Sequence, residues 1–242
     1  MAQKKITKLL HILGSPNFTQ ALFTGAAAGV EHLPVLRRIQ CDYVVDVGAN
    51  RGQFALAARA AFPTARIVAF EPLDVPAAVF ERVFRGDERV KLHRVALGDA
   101  EGAHAMHVSH SDDSSSLLPI GEQQTALFHG TGEREQRMVQ VAPLSAFIEL
   151  QEISPDALLK IDVQGYELTV LGGCIELLPA FSHVYVECSF ITLYQGQAIA
   201  YQVIDWLSGR GLYIDGVYNI FYDRAGRAIQ GDFLFSRRPG GA

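Results

Sequence analysis

Four acids stand where an apolar run gives way to a polar or glycine-rich one. Asp46 closes the run Tyr43-Val44-Val45 just ahead of Gly48-Ala49-Asn50-Arg51-Gly52. Glu71 follows Arg66 to Phe70, Asp162 follows Leu158 to Ile161, and Glu187 follows His183 to Val186. Short β-branched runs of this kind read as buried parallel strands. Ligands of open α/β sheets bind beyond the carboxyl ends of such strands, so the acids stand where chemistry is done. Gly48 and Gly52 would let the backbone turn sharply and approach a ligand. Glu71 follows Asp46 by 25 residues, a spacing at which an acid can accept both hydroxyls of a ribose.

The glycine turn is not G-x-G-x-x-G, the turn that seats a pyrophosphate on a helix N-terminus. Asp46 instead puts negative charge beside the turn, which suits a cationic ligand. S-adenosylmethionine carries a sulfonium and an ammonium and no phosphate, and is the expected cofactor. A nicotinamide-dependent oxidoreductase is the rival reading, but the chain shows no clear Tyr-x-x-x-Lys pair. A non-catalytic nucleotide-binding protein is a second rival.

Asp162 and Glu187 would converge near the transferred methyl. Attack of an alcohol on a sulfonium carbon needs alignment and loss of the hydroxyl proton. Two solutions stay open: Asp162 or a histidine as general base, or Asp162 and Glu187 holding Mg²⁺ against the acceptor oxygens. Lys160 shares a strand face with Asp162 by period-two alternation and would neutralise Asp162 or Asp46. His107, His110 and His129 lie in or beside a long polar loop that could close over the site. Ser115, between Ser114 and Ser116, offers a hydroxyl. Gln164, Tyr166, Ser189, Tyr194 and Gln197 are candidates for the acceptor pocket, Tyr194 as an aromatic face and Gln197 as an amide.

The elements that must position these groups follow from periodicity. Strands are expected at 43–47, 66–70, 90–97, 138–141, 158–162, 183–188, 212–218 and 232–236, the last two as an antiparallel hairpin. Helices are expected at 53–62, 74–85, 143–151, 166–178 and 197–209, with a long loop at 111–136 containing a short helix. The alternation predicts an α/β, doubly wound, mostly parallel seven-stranded sheet with an antiparallel C-terminal edge. Residues 1–40 read as an N-terminal helical extension, with Asn17 as a helix cap and Gly25 to Val30 as a tightly packed helix or turn. Residues 41–242 form the main domain.

Composition narrows the function. With 21 Lys plus Arg against 26 Asp plus Glu, no basic excess exists to neutralise phosphates, which argues against nucleic-acid binding. No apolar window is long enough for a transmembrane helix. Cys41, Cys174 and Cys188 have no C-x-x-C spacing, which argues against a disulfide framework and for a reducing, cytoplasmic setting. No signal peptide is expected. The apolar N-terminal helices would suit a homodimer.

The segments Val44 to Phe54, Ala69 to Leu73, Val95 to Gly102, Ser114 to Leu117 and Leu159 to Gly173 resemble, in order, the FkbM family of S-adenosylmethionine-dependent methyltransferases. The resemblance covers about residues 43–236. Members typically carry an acid where Gln164 stands. The resemblance implies that Asp46, Gly48, Ala49, Asn50 and Gly52 line the methionine end of the cofactor. It implies Glu71 at the ribose, Pro72 and Leu73 beside the adenosine, and Ala96, Leu97 and Asp99 at the adenine. It also implies O-methylation of a hydroxyl on a small-molecule or glycan acceptor: a sugar in a glycan, a lipid-linked saccharide or a glycosylated natural product.

Overall fold

A computed structural model describes residues 2–238, and the side chains of residues 7–238. In chain order the elements are α1 (Ala2–Leu13), α2 (Pro16–Thr24), α3 (Leu33–Leu36), β1 (Tyr43–Val47), α4 (Gln53–Ala61), β2 (Arg66–Phe70), α5 (Asp74–Val83), β3 (Val90–His93), β4 (Ala96–Leu97), β5 (Gly102–Ser109), α6 (Glu122–Leu127), β6 (Glu133–Ala142), β7 (Ala157–Ile161), α7 (Glu167–Gly173), β8 (His183–Ser189), α8 (Ala200–Ser208), β9 (Leu212–Tyr222) and β10 (Ala228–Arg237).

The main sheet has seven strands in the order β3-β2-β1-β7-β8-β10-β9. The first five are parallel, and β10 runs antiparallel between β8 and β9. This is the expected doubly wound, mostly parallel architecture with an antiparallel edge. β1 and β7 are buried along their whole length, which is why their sequences are apolar except for Asp46 and Lys160. The chain leaves β1 toward β2 on one side and returns as β7 on the other, so the sheet's switch point opens a crevice beyond β1 and β7.

Four local expectations are corrected. The strand expected at 90–97 is two strands, because the chain bends at Arg94-Val95 and β4 leaves the main sheet to pair with β6. Together β4, β6 and β5 make a separate three-stranded sheet, and part of the expected 111–136 loop belongs to it. The first half of β6, Glu133 to Arg137, is polar and largely exposed, so no apolar alternation marked it. Its backbone is satisfied by the antiparallel partner β5. The helix expected at 143–151 is two 3₁₀ turns, Leu144–Ala146 and Leu150–Glu152. A Glu149–Glu152 capping box starts the second turn afresh. The helix expected at 166–178 stops at Gly173, where a Cβ would meet the Gly98 carbonyl oxygen at 1.9 Å.

In the N-terminal segment, Ser15 rather than Asn17 occupies the cap of α2, with Pro16 at the first helical position. Ala26, Ala28, Val30, Leu33, Val35 and Leu36 pack in one cluster with Val44 of β1 and Phe54 of α4. A 3₁₀ turn, Val30–His32, follows a backbone bond from Gly29 N–H to the Gln53 carbonyl at 2.8 Å. No helix among the described residues is long and apolar enough to cross a membrane.

Candidate active site

A cavity of about 340 Å³ opens at the switch point. Gly48 lets its two rims meet: at φ +75° a Cβ there would lie 1.9 Å from the Asp162 carbonyl oxygen. The non-glycine residues with left-handed φ among the described ones are Asn50 (46°), Gln164 (56°) and Asn219 (50°). All three line this cavity. Such conformations cost energy and persist where the surroundings over-determine them, and they cluster at functional sites.

Glu71 organises one end. Its carboxylate accepts N–H bonds from Asn50 at 2.9 Å and Leu73 at 2.8 Å, tying the β1 and β2 loops together. Burial pushes its pKa up to about 7, with the two N–H bonds working in the opposite direction. Gly48, Ala49, Pro72, Leu73, Ala96 and Leu97 line the same cavity.

The other end is polar. Asp162, just past β7, and Glu187, near the end of β8, are bridged by one amide. Gln164 Nε2 donates to Asp162 Oδ1 at 2.8 Å and to Glu187 Oε2 at 2.9 Å. Gln164 Oε1 accepts from the Tyr194 hydroxyl at 2.9 Å, which fixes the amide's orientation. Glu187 Oε1 accepts from Gln230 at 2.9 Å. Burial first, then Asp162, hold the Glu187 pKa well above the usual carboxylate range. Lys160 Nζ lies 3.3 Å from Asp46 and 3.7 Å from Asp162. Burial opposes its charge, but the two carboxylates outweigh it and raise the pKa.

The donor set between Asp162 and Glu187 does not fit Mg²⁺. The space is taken by an N–H₂ group, which repels a cation. No three His, Cys, Asp or Glu side chains come together as a metal site among the described residues.

Several expected positions lie elsewhere. Asp46 is fully buried beneath the floor, its pKa raised by burial and held back by Lys160. Gly52 caps α4 and is enclosed by Phe80 and Phe84. Asp99 is exposed on the outside, because the chain turns away at Gly98 to pack on Gly173. Tyr194 is buried behind Gln164, and the Ser114 carbonyl shares its one hydroxyl proton with Gln164. Gln197 Nε2 donates to the Ser189 hydroxyl at 2.9 Å, and Gln197 Oε1 accepts from the Leu193 and Tyr194 N–H groups. None of these six lines the cavity, whereas Ser115, Gln164 and Tyr166 do. His107, His110 and His129 are also outside it, and His107 pairs with Glu133.

Four residues escaped the sequence reading. His32, Asn219 and Asp232 line the cavity beside Lys160, and Tyr185 stands behind them. His32 comes from a 3₁₀ turn, Asn219 from the bent strand β9, and Asp232 from β10. No spacing links them. A polar residue within the apolar β10 run was the one available signal.

The sequence profile of the FkbM methyltransferase domain matches residues 46–212. The chain is 30% identical over 176 residues to the 2-O-methyltransferase NoeI of Sinorhizobium fredii, covering 68% of this chain and 70% of that protein. It is 30% identical over 183 residues to the 31-O-demethyl-FK506 methyltransferase FkbM of Streptomyces tacrolimicus, covering 66% and 70%. It is 27% identical to Methyltransferase 1 of Beauveria bassiana and spans 58% of that protein's length. Among solved structures, TrmK of M. capricolum with S-adenosyl-homocysteine aligns with a TM-score of 0.49 at 8% identity, covering 85% of this chain and 67% of that one. Through the matched domain, which takes in the Glu71 loop and both carboxylate tips, the chain belongs to the FkbM family of S-adenosylmethionine-dependent methyltransferases.

Proposed function

We propose that this methyltransferase moves the methyl group of S-adenosylmethionine to a hydroxyl oxygen of a sugar or sugar-like small molecule. The observation that carries the reading is the division of one cavity into two unlike ends. At one end the Glu71 carboxylate, anchored on two backbone N–H groups, is presented to the hydroxyls of a ribose. Leu73, Ala96 and Leu97 beside it offer apolar surface to an adenine.

At the other end Asp162, Glu187, Gln164, Asn219 and Asp232 crowd together. Carboxylates and amides at that density match an acceptor with several neighbouring hydroxyls, each needing a partner once desolvated. The relatives' names include a 2-O-methyltransferase and a 31-O-demethyl-FK506 methyltransferase, which agrees with transfer to oxygen. The attacking oxygen would enter from this end, in line with the sulfonium carbon, and positioning would supply much of the rate. All three cysteines are free, which fits the cytoplasm as the place of action.

The test is calorimetric titration with S-adenosylhomocysteine, followed by transfer of labelled methyl to a panel of methyl glycosides and cyclohexane-1,2-diols. Saturable binding, lost in Glu71→Ala, and label in a polyol are expected. Binding of NADH in place of S-adenosylhomocysteine would overturn the reading.

A further inference from the structure

The acceptor's proton needs a destination, and the groups at the reaction end differ sharply in what they have free. Glu187 has both oxygens occupied by amide donors, Gln164 and Gln230. Asp162 gives one oxygen to Gln164 and turns the other toward the Lys160 ammonium. Lys160 is held charged between Asp46 and Asp162. Each is already tied to an amide or an opposite charge, and none presents a neutral basic atom free of a hydrogen-bond partner.

His32 does. Its Nδ1 lies 3.2 Å from the Tyr185 hydroxyl, 3.5 Å from Asp232 Oδ2 and 3.4 Å from Asn219 Nδ2. The Tyr185 hydroxyl donates its proton to Asp232 Oδ2 at 3.1 Å, so its oxygen accepts from His32. With the Tyr185 oxygen and the Asp232 carboxylate both facing Nδ1, the cluster favours the Nδ1–H tautomer, which leaves Nε2 without a proton. No described residue bonds Nε2. Asn219 Nδ2 donates to the same Asp232 oxygen at 2.7 Å, keeping that carboxylate in place.

The ring is clamped as well as oriented. It meets Phe54 and Tyr185 edge-on, with centroids at 5.3 and 5.7 Å. Gly29 makes room for it, since a Cβ there would lie 2.9 Å from His32 Cδ2. A base held by an orienting partner, itself held by a third group, is the arrangement that proton abstraction from a hydroxyl requires.

We propose that His32 is the base that takes the acceptor's proton, with Tyr185 and Asp232 as positioning residues behind it. The proposal rests on the O-methyl transfer reading. As the acceptor oxygen bonds to the methyl carbon, the carbon–sulfur bond breaks and its electrons stay on sulfur, giving S-adenosylhomocysteine. The hydroxyl proton passes to Nε2, and Asp232 stabilises the imidazolium. His32, Asn219 and Asp232 all lie outside the residues the family profile matches, so the chain's two ends complete the site.

The charged groups facing His32 are Asp232 from β10, Glu31 on its own turn, and Lys160 and Asp162 from the β7 side; Tyr185 faces it from β8. Burial lowers its pKa, with Asp232 and Glu31 opposing. The neutral form is the base, so kcat should rise with pH through a limb below 6.5 and then level.

Three measurements decide it. S-adenosylhomocysteine calorimetry on wild type and His32→Gln separates this proposal from the donor-site reading: if wild type fails to bind, that reading has failed. If both bind alike, kcat toward the best acceptor of the glycoside panel should fall about 10²- to 10⁴-fold in His32→Gln, with recovery in His32→Gly on adding imidazole. Tyr185→Phe should lower kcat with KM little changed, and Asp232→Asn should move the acid limb to lower pH. A His32→Gln enzyme within a few-fold of wild type and with the same pH profile would overturn the proposal. ¹⁵N spectra of the imidazoles in the S-adenosylhomocysteine complex need no acceptor. They should show the Nδ1–H tautomer for His32, and an Nε2–H tautomer would overturn the proposal equally.

Discussion

Gly48 and Asp162 touch backbone to backbone across the switch point, so closely that a Cβ on Gly48 would stand 1.9 Å from the Asp162 carbonyl oxygen. The two strand-end loops that wall the cavity are thus locked in register by the absence of one side chain. Gly48→Ala must push them apart and also place an alanine at positive φ. A loss of about 2–5 kcal/mol is expected, read as a drop in the urea midpoint together with weaker S-adenosylhomocysteine binding.

Glu71 should make both stability and binding depend on pH, with opposite signs. Its pKa is about 7 in the folded chain, raised from 4.5 by burial. Between those values the unfolded chain has lost the proton that the folded chain keeps. The resulting stability is full below pH 4.5 and is lost as pH rises through about 7. Glu167, raised similarly to about 7 by burial, adds to the same limb. Ribose hydroxyls donate to the ionised carboxylate, so S-adenosylhomocysteine affinity should increase from pH 6 to 8 with release of a proton. Calorimetry in buffers of differing ionisation enthalpy reads the proton directly, and Glu71→Gln should abolish its release.

Chelation should leave the wild-type enzyme untouched. Gln164 occupies the space between Asp162 and Glu187 with donors, so EDTA is expected to change neither S-adenosylhomocysteine binding nor turnover. Gln164→Glu replaces that amide with a third carboxylate and removes two hydrogen bonds. A loss of about 2–4 kcal/mol is expected in EDTA, with part of it restored by millimolar Mg²⁺. Thermal melts with and without the cation report both effects.

Tyr194 lies behind the site and acts through Gln164. Removing its hydroxyl in Tyr194→Phe leaves Gln164 Oε1 and the Ser114 carbonyl without their donor. The expected cost is about 1–2 kcal/mol of stability. The Gln164 amide still donates to Asp162 and Glu187 but loses the brace on its oxygen, so a several-fold loss of kcat with little change in donor affinity should follow.

The sequence by itself determined the strand ends. β1, β2, β7 and β8 are mostly apolar because both faces of a parallel sheet are covered, and a turn residue or an acid stands at or near the end of each run. Glu71, Asp162 and Glu187 were legible for that reason, as were Gly48 and Asn50 in the turn between β1 and α4. Helical spacing also announced α4, α5 and α8 close to their observed bounds.

Only the tertiary structure decided which of these residues face the ligand. Asp46, near the end of β1, points beneath the floor to Lys160, because period-two alternation says which face a residue takes but not which face bears the cavity. Tyr194, Gln197 and Ser189 have the composition of a pocket yet satisfy one another's backbone and side chains. β5 alternates only weakly and the polar half of β6 not at all, since the exposed part of a strand pair is held by its ladder. His32, Tyr185, Asn219 and Asp232 are separated by as many as 200 residues and meet only because the N-terminal turn, the β8 interior and the antiparallel hairpin close on the same side of β7. No period in a sequence encodes such a meeting; the closing of the sheet does.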